Sequence, residues 1–343
     1  MKCISMKALI HFGVAFMTKR GMPKSTARYL AQVIVETEAF RQSTHGLIQF
    51  KVIHDALGKD VDPQAKPKVV KNHGAMALLD GNHCLGGITM KTAVDLAARK
   101  ARQHGIGFVA VRNTTWVGAL GIYLIPLARA GFMAEAWAQT NTCKDCAPYG
   151  GIDPRFSTNP MAVAFPADPH PMLADFSTAT MSMAAAHALE KAGKKTSPAR
   201  FLDGSGKPSP NPAVLSHGGT LMFGGGEIEG HKFYALSLFI EALTVLAGGS
   251  ANNPHALSRQ SLALMVLDPA AFAGTAYYVK EMKRFIKHVK SSRVRPGCDS
   301  IRLPGERGFA AMADCRVHGI PLSSDKLRML RQIAADNGIE PVG

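Results

Sequence analysis

Acidic residues are in short supply: 25 aspartates and glutamates stand against 40 lysines and arginines, giving a formal net charge of +15. Cysteine is scarce too. Six in 343 residues, with only Cys143 and Cys146 at a recognisable spacing, exclude a disulfide scaffold and suit a reducing cytoplasm. That pair has no second cysteine or histidine pair near it to complete four ligands, so no metal is expected. No apolar run approaches the roughly 20 residues of a membrane span. The best candidate, residues 234–246, is too short and carries Glu241. Lys2 and Lys7 precede an apolar stretch, but His11 interrupts it and Lys19 and Arg20 stand where a cleavage site belongs; it reads as a first helix, not a signal peptide.

Nucleotide fingerprints are missing as well. Residues 201–209 lack the first glycine of a P-loop, and Pro208 removes a needed donor. The glycines of 224–230 do not fit G-x-G-x-x-G, so a Rossmann domain is excluded. The basic excess is spread along the chain. Its densest stretch, 280–295, carries Met282, Phe285, Ile286 and Val289 at helical spacing and its lysines largely opposite, the pattern of a solvated helix face. No nucleic-acid motif accompanies it, and neither nucleic acid nor membrane is expected as a partner. Such a field draws in small anions.

What is present is a chain that is 46% apolar, enough for a sizeable core in one or two domains. Periodicity predicts helices over 7–21, 25–38, 90–104, 118–131, 182–193, 234–246 and 324–337. It predicts strands at 106–111, 134–141, 156–165 and 173–176, with one or two more in 63–81 and a turn at Asp80-Gly81. Residues 140–180 are the densest in backbone-shaping types: Pro148, Gly150 and Gly151, then Ser157, Thr158, Asn159 and Pro160, then Asp175 closing an apolar run. Read from composition alone, they are loops between strands or the floor of a site.

The series Tyr149-Gly150-Gly151, Ser157-Thr158-Asn159-Pro160 and Ala174-Asp175-Phe176-Ser177 resembles the central signature of the malate/L-lactate dehydrogenase family, reductases of 2-oxo acids or cyclic imino acids that use NAD or NADP without a Rossmann domain. The likeness continues in order through Thr44-His45-Gly46, for the family's Ser-His-Gly, and through Lys232 and Arg302-Leu303-Pro304-Gly305-Glu306. It implies an α/β fold: a largely antiparallel sheet in a cofactor-binding domain (113–311) and a helical, mixed domain built from 1–112 and 312–343. It further implies a homodimer acting on a small carboxylate substrate.

By the same resemblance, His45 is the proton donor in reduction and Asp175 its orienting or proton-sharing acid. A histidine suits that task near neutral pH; without the resemblance, His45 also reads as a helix-end cap. Thr44, Gln49, Trp116 and Arg41 fall at the substrate, and Thr140, Asn159, Phe176, Ser177, Lys232, Pro304, Gly305 and Glu306 at the cofactor. Lys232 follows a glycine run and precedes an apolar helix, an arrangement that reads as an anion site at a helix mouth. Three positions depart from the pattern: Gln49 where relatives carry a carboxylate-gripping arginine, Trp116 where many have histidine, and Phe233 for the usual glycine. The function implied is NAD(P)H-dependent reduction of a 2-oxo acid to a 2-hydroxy acid. Reduction of a cyclic imino acid of the piperideine- or pyrroline-2-carboxylate type is the alternative, and a non-catalytic basic anion-binding protein is the alternative from another class.

Overall fold

A computed structural model describes residues 2–59, 61–248 and 260–342. The chain opens with a short strand, β1 (Lys2–Ile4), and two helices, α1 (Met6–Lys19) and α2 (Lys24–Ala39). The Ser5 hydroxyl caps α1 by accepting from Ala8 N at 3.1 Å. Leu9, Phe12 and Phe16, three or four residues apart, form its buried face. Against them packs α3 (Ile48–Ala56), which the sequence pattern did not reveal. Gly13 permits the contact, since a Cβ there would stand 2.7 Å from the Phe50 ring; Phe16 and Phe50 meet edge to face at 5.6 Å.

The hairpin β2 (Lys68–His73) and β3 (Met76–Asp80) leads into α4 (Gly86–His104) and β4 (Ile106–Thr114). Gly105 ends α4 at a φ of +78°, a conformation open to glycine. Then come α5 (Gly121–Arg129), β5 (Met133–Gln139), β6 (Pro160–Phe165) and β7 (Met172–Ser177). The strand expected from 156 begins at Pro160, because Ser157, Thr158 and Asn159 form a loop. After α6 (Met183–Lys191), the strands β8 (Phe201–Leu202), β9 (Pro208–Ser209) and β10 (Thr220–Leu221) make a small sheet in the order β10-β8-β9. The long helix α7 (Gly226–Val245) precedes β11 (Gln260–Leu267) and α8 (Thr275–Lys290); α9 (Glu306–His318), β12 (Ile320–Leu322) and α10 (Ser324–Asn337) complete the chain.

The main sheet has seven strands in the order β2-β3-β4-β11-β5-β6-β7, and only β3 and β4 run parallel. It is a mixed, largely antiparallel sheet. Its centre is β11, whose alternation decides the layering: Leu262, Leu264 and Val266 face the core shared with α4 and α5, while Ala263 and Met265 face Ile240 of α7. The boundary expected between 112 and 113 falls inside β4, and the sheet draws strands from both sides of it. The two ends of the chain meet, since β1 pairs antiparallel with β12, Ile4 opposite Ile320.

Candidate active site

The loop between α2 and α3 carries His45. Arg41 bends it with a φ of +66°, unusual for a residue with a side chain, and His45 N donates to Gln42 O at 2.9 Å. Glu38, 8% exposed, anchors the loop from α2: its carboxylate accepts from Leu47 N at 2.9 Å and pairs with Lys326 of α10. Gly46 makes that approach possible, because a Cβ there would lie 2.8 Å from Glu38 Cα. The C-terminal helix therefore holds the histidine loop in place.

Thr44 Oγ1 lies 2.9 Å from His45 Nδ1, and the His45 ring leans on Trp116 at a centroid distance of 5.3 Å. Burial holds the imidazole pKa below its ordinary value, so the neutral ring is favoured. On β7, Asp175 Oδ2 accepts from Gln42 Nε2 at 2.9 Å and from Gly121 N at 2.8 Å. Gly121 is the first residue of α5, so the carboxylate sits at a positive helix end. Burial nonetheless raises the Asp175 pKa, against the lowering by those two bonds. The connection between Asp175 and His45 runs through Gln42, which bonds one by its side chain and the other by its carbonyl.

These groups open on one cleft of about 970 Å³, which Arg41, Thr44, His45, Trp116, Thr140, Asp175, Phe176 and Ser177 all line. The glycine turn 224–226 lines its far wall. A second cleft of about 670 Å³ adjoins it across Arg41, Gln42 and Asp175 and is lined by Arg302, Pro304, Gly305 and Arg307. Where the two meet, Gln42 Oε1 is buried without a hydrogen-bond partner among the described residues, an acceptor left for a ligand. With four arginines, Arg41, Arg200, Arg302 and Arg307, and a glycine turn bare of side chains, the paired clefts fit a phosphate-bearing nucleotide.

Four of the expected residues lie elsewhere. Gln49 faces a small cavity behind Trp116. Asn159 is fully buried and spends its amide on Ser237 Oγ at 2.9 Å and Glu241 Oε1 at 2.8 Å. Glu306 begins α9 and bonds Lys290 and Leu303 N. The reading of Lys232 at a helix mouth needs correction: α7 starts inside the glycine run at Gly226, so Lys232 lies in its second turn, exposed and paired with Glu229. The glycines themselves, free of steric demand, let the helix begin earlier than its apolar residues suggest.

A polar chain that the sequence did not point to supports the cleft floor. From Glu241 on α7 it passes through Asn159 to Ser157, whose hydroxyl donates to Asn159 Oδ1 at 2.5 Å and accepts from Thr140 N at 3.1 Å. Gln260 Nε2 then donates to Thr140 Oγ1 at 3.0 Å, and Gln260 Oε1 accepts from Val117 N at 2.9 Å, beside Trp116. The sequence marked Ser157, Asn159 and Thr140 singly, and Glu241 as a charge in an apolar helix, but nothing in it joined them. Cys143 and Cys146 are free thiols, and among the described residues no cluster of three or more histidines, cysteines or acids could hold a metal. No described helix is long and apolar enough to cross a membrane.

Comparison with known proteins matches this architecture. A family profile described as malate/L-lactate dehydrogenase covers residues 4–331. Malate dehydrogenase from Pyrococcus horikoshii is 30% identical over 97% of this chain and 94% of its own length. Its solved structure superposes with a TM-score of 0.89 over 99% of this chain and 97% of that one, at 27% identity. L-sulfolactate dehydrogenase from Methanocaldococcus jannaschii is 32% identical over 84% of each chain. The structure of delta1-piperideine-2-carboxylate reductase from Pseudomonas syringae shares the fold, with a TM-score of 0.84 at 24% identity over 97% of this chain and all of that one.

Proposed function

The chain belongs to the malate/L-lactate dehydrogenase family and is a nicotinamide-dependent oxidoreductase of CH–OH groups; from that premise we propose that it interconverts a 2-oxo acid and its 2-hydroxy acid, with His45 carrying the proton. The observation behind this reading is the placement of His45 in the cleft, its Nδ1 engaged by Thr44 and its ring shielded by Trp116. A bound reduced nicotinamide nucleotide supplies the hydride to the carbonyl carbon. His45 gives its proton to the carbonyl oxygen as that oxygen gains charge, and takes it back in oxidation. Thr44 leaves the second ring nitrogen free to face substrate. Asp175, through Gln42, keeps the histidine loop oriented, and Arg41 offers the cation for the substrate carboxylate. The glycine turn 224–226 and the arginine-bearing second cleft would hold the nucleotide.

Titration with NADH and NADPH in parallel, followed by nicotinamide fluorescence, tests the proposal and names the cofactor. Saturable binding is expected, with His45→Ala keeping it and losing about 10²–10⁴-fold in turnover. A folded sample that binds neither nucleotide sinks the proposal and leaves the anion-binding protein, whose affinity falls steeply with salt. Reduction of a cyclic imino acid is the second reading; the flat indole of Trp116 beside His45 suits a ring, and turnover of such an imine separates the two. The homodimer belongs to the same proposal and is measured by sedimentation equilibrium.

A further inference from the structure

We propose that the small cavity behind Trp116 is the subsite for the substrate's side chain, and that it selects an uncharged side chain carrying an acceptor oxygen at its tip. This rests on the 2-oxo acid reading above and specifies which acids it covers.

The cavity measures about 50 Å³ and lies on the far side of the wall that His45, Trp116, Val117 and Ala119 form with the main cleft. As it stands, that volume holds about one or two waters. Leu30, Val33 and Ile34 of α2 and Val52 and Ile53 of α3 line it, and no arginine, lysine, aspartate or glutamate reaches it among the described residues. Its polar atoms are mostly spent. The Thr37 hydroxyl donates to Val33 O at 2.7 Å, the Tyr123 hydroxyl to Val117 O at 2.9 Å, and Thr115 Oγ1 accepts from Gly86 N at 2.8 Å. The exception is Gln49. Its side chain is buried, 6% exposed, and its Nε2 has no hydrogen-bond partner among the described residues. A buried donor with no acceptor is costly, and a ligand acceptor is one way to satisfy it.

Of that wall, Trp116 is the residue whose indole is proposed to move. Its backbone is fixed: a Cβ on Gly86 would stand 2.5 Å from Trp116 O and 2.6 Å from Thr115 O, so the loop cannot shift toward α4. The indole is only partly buried and leans on the His45 ring; the proposed entry requires it to turn about its side-chain bonds and so join the two spaces. A side chain entering there meets aliphatic walls, a histidine whose neutral form is favoured, and the uncharged amide of Gln49. An ionised group entering the same space finds no countercharge, and burying it so is strongly unfavourable.

The test is a kcat/KM panel of 2-oxo acids run with the purified full chain: pyruvate, an acid with an isobutyl side chain, its isostere with an ether oxygen near the tip, and oxaloacetate. The ether acid is expected to exceed the hydrocarbon isostere by about tenfold or more, and oxaloacetate to fall behind the ether acid by about a hundredfold. Gln49→Leu should invert the preference between ether and hydrocarbon, because it replaces the donor with an apolar group of similar size. Oxaloacetate matching or exceeding the uncharged acids, or a preference ratio unmoved in Gln49→Leu, overturns the inference while pyruvate turnover leaves the 2-oxo acid reading standing. Absence of nucleotide binding and of turnover with every acid defeats that reading and this inference together.

Discussion

His45 is half-shielded from water, and burial lowers its pKa below the usual histidine value. The sign of the pH dependence follows. Reduction needs the protonated ring, so kcat/KM for reduction should fall as pH rises through the lowered pKa, and kcat/KM for oxidation should climb to a plateau above it; steady-state rates in both directions across pH check this. Asp145 shows the opposite shift, its carboxyl pushed up to about 6, first by burial. The folded state then holds this proton more tightly than the unfolded chain does, so the group's contribution to stability is lost as pH rises from about 4 to about 6. Asp145→Asn should therefore stabilise the protein by about 1–2 kcal/mol above that window, discounted for partial exposure, and change nothing near pH 4. Chemical unfolding at the two pH values measures it. Glu241 anchors the polar chain under the cleft, and burial raises its pKa toward the neutral form. Glu241→Ala should cost about 1–3 kcal/mol by leaving part of that chain unpaired. Glu241→Gln, which keeps an acceptor oxygen for Asn159, should stay closer to wild type, and urea midpoints compare them.

At the scale of elements, the packing of α4 on β4 depends on Gly107. A Cβ there would stand 2.0 Å from Ala97 O and 2.8 Å from Ala97 C, both backbone atoms that cannot move alone. Gly107→Ala should destabilise the fold by about 1–3 kcal/mol, because the helix must lift from the sheet; a lowered thermal midpoint with unchanged kcat per folded molecule is the outcome to look for. The early start of α7 is also an element-scale effect. Its apolar periodicity begins near Tyr234, yet backbone geometry lets the helix start at Gly226, which places the glycine turn on the cleft and carries Lys232 away from it. β11 escaped the sequence reading for another reason: buried on both faces, Ser261 to Leu264 lacks the polar alternation that marks a half-exposed strand.

Across the whole molecule, a formal charge of +15 surrounds the cleft proposed for the nucleotide. Association of the nucleotide should slow as salt is added, while the rate of release changes much less. Stopped-flow fluorescence across ionic strength separates the two rates. The ends of the chain also act together on the site, because β12 pairs with β1 and Lys326 of α10 reaches Glu38 beneath the histidine loop.

The sequence by itself determined the family, the non-Rossmann character and most helices, because these are written in local motifs, missing fingerprints and periodicity. It also singled out His45, Asp175, Thr44, Arg41 and Trp116, which the structure gathers on one cleft. Only the tertiary structure decided the rest. That Asp175 reaches His45 by way of Gln42, that Asn159 turns inward to Glu241, and that Gln49 lies behind Trp116 all depend on which side of a strand or helix faces the cleft. Side-chain direction is set by packing between segments far apart in the chain, 133 residues in the Gln42–Asp175 bond and 288 in the Lys326–Glu38 pair, and no local pattern encodes a contact over that distance.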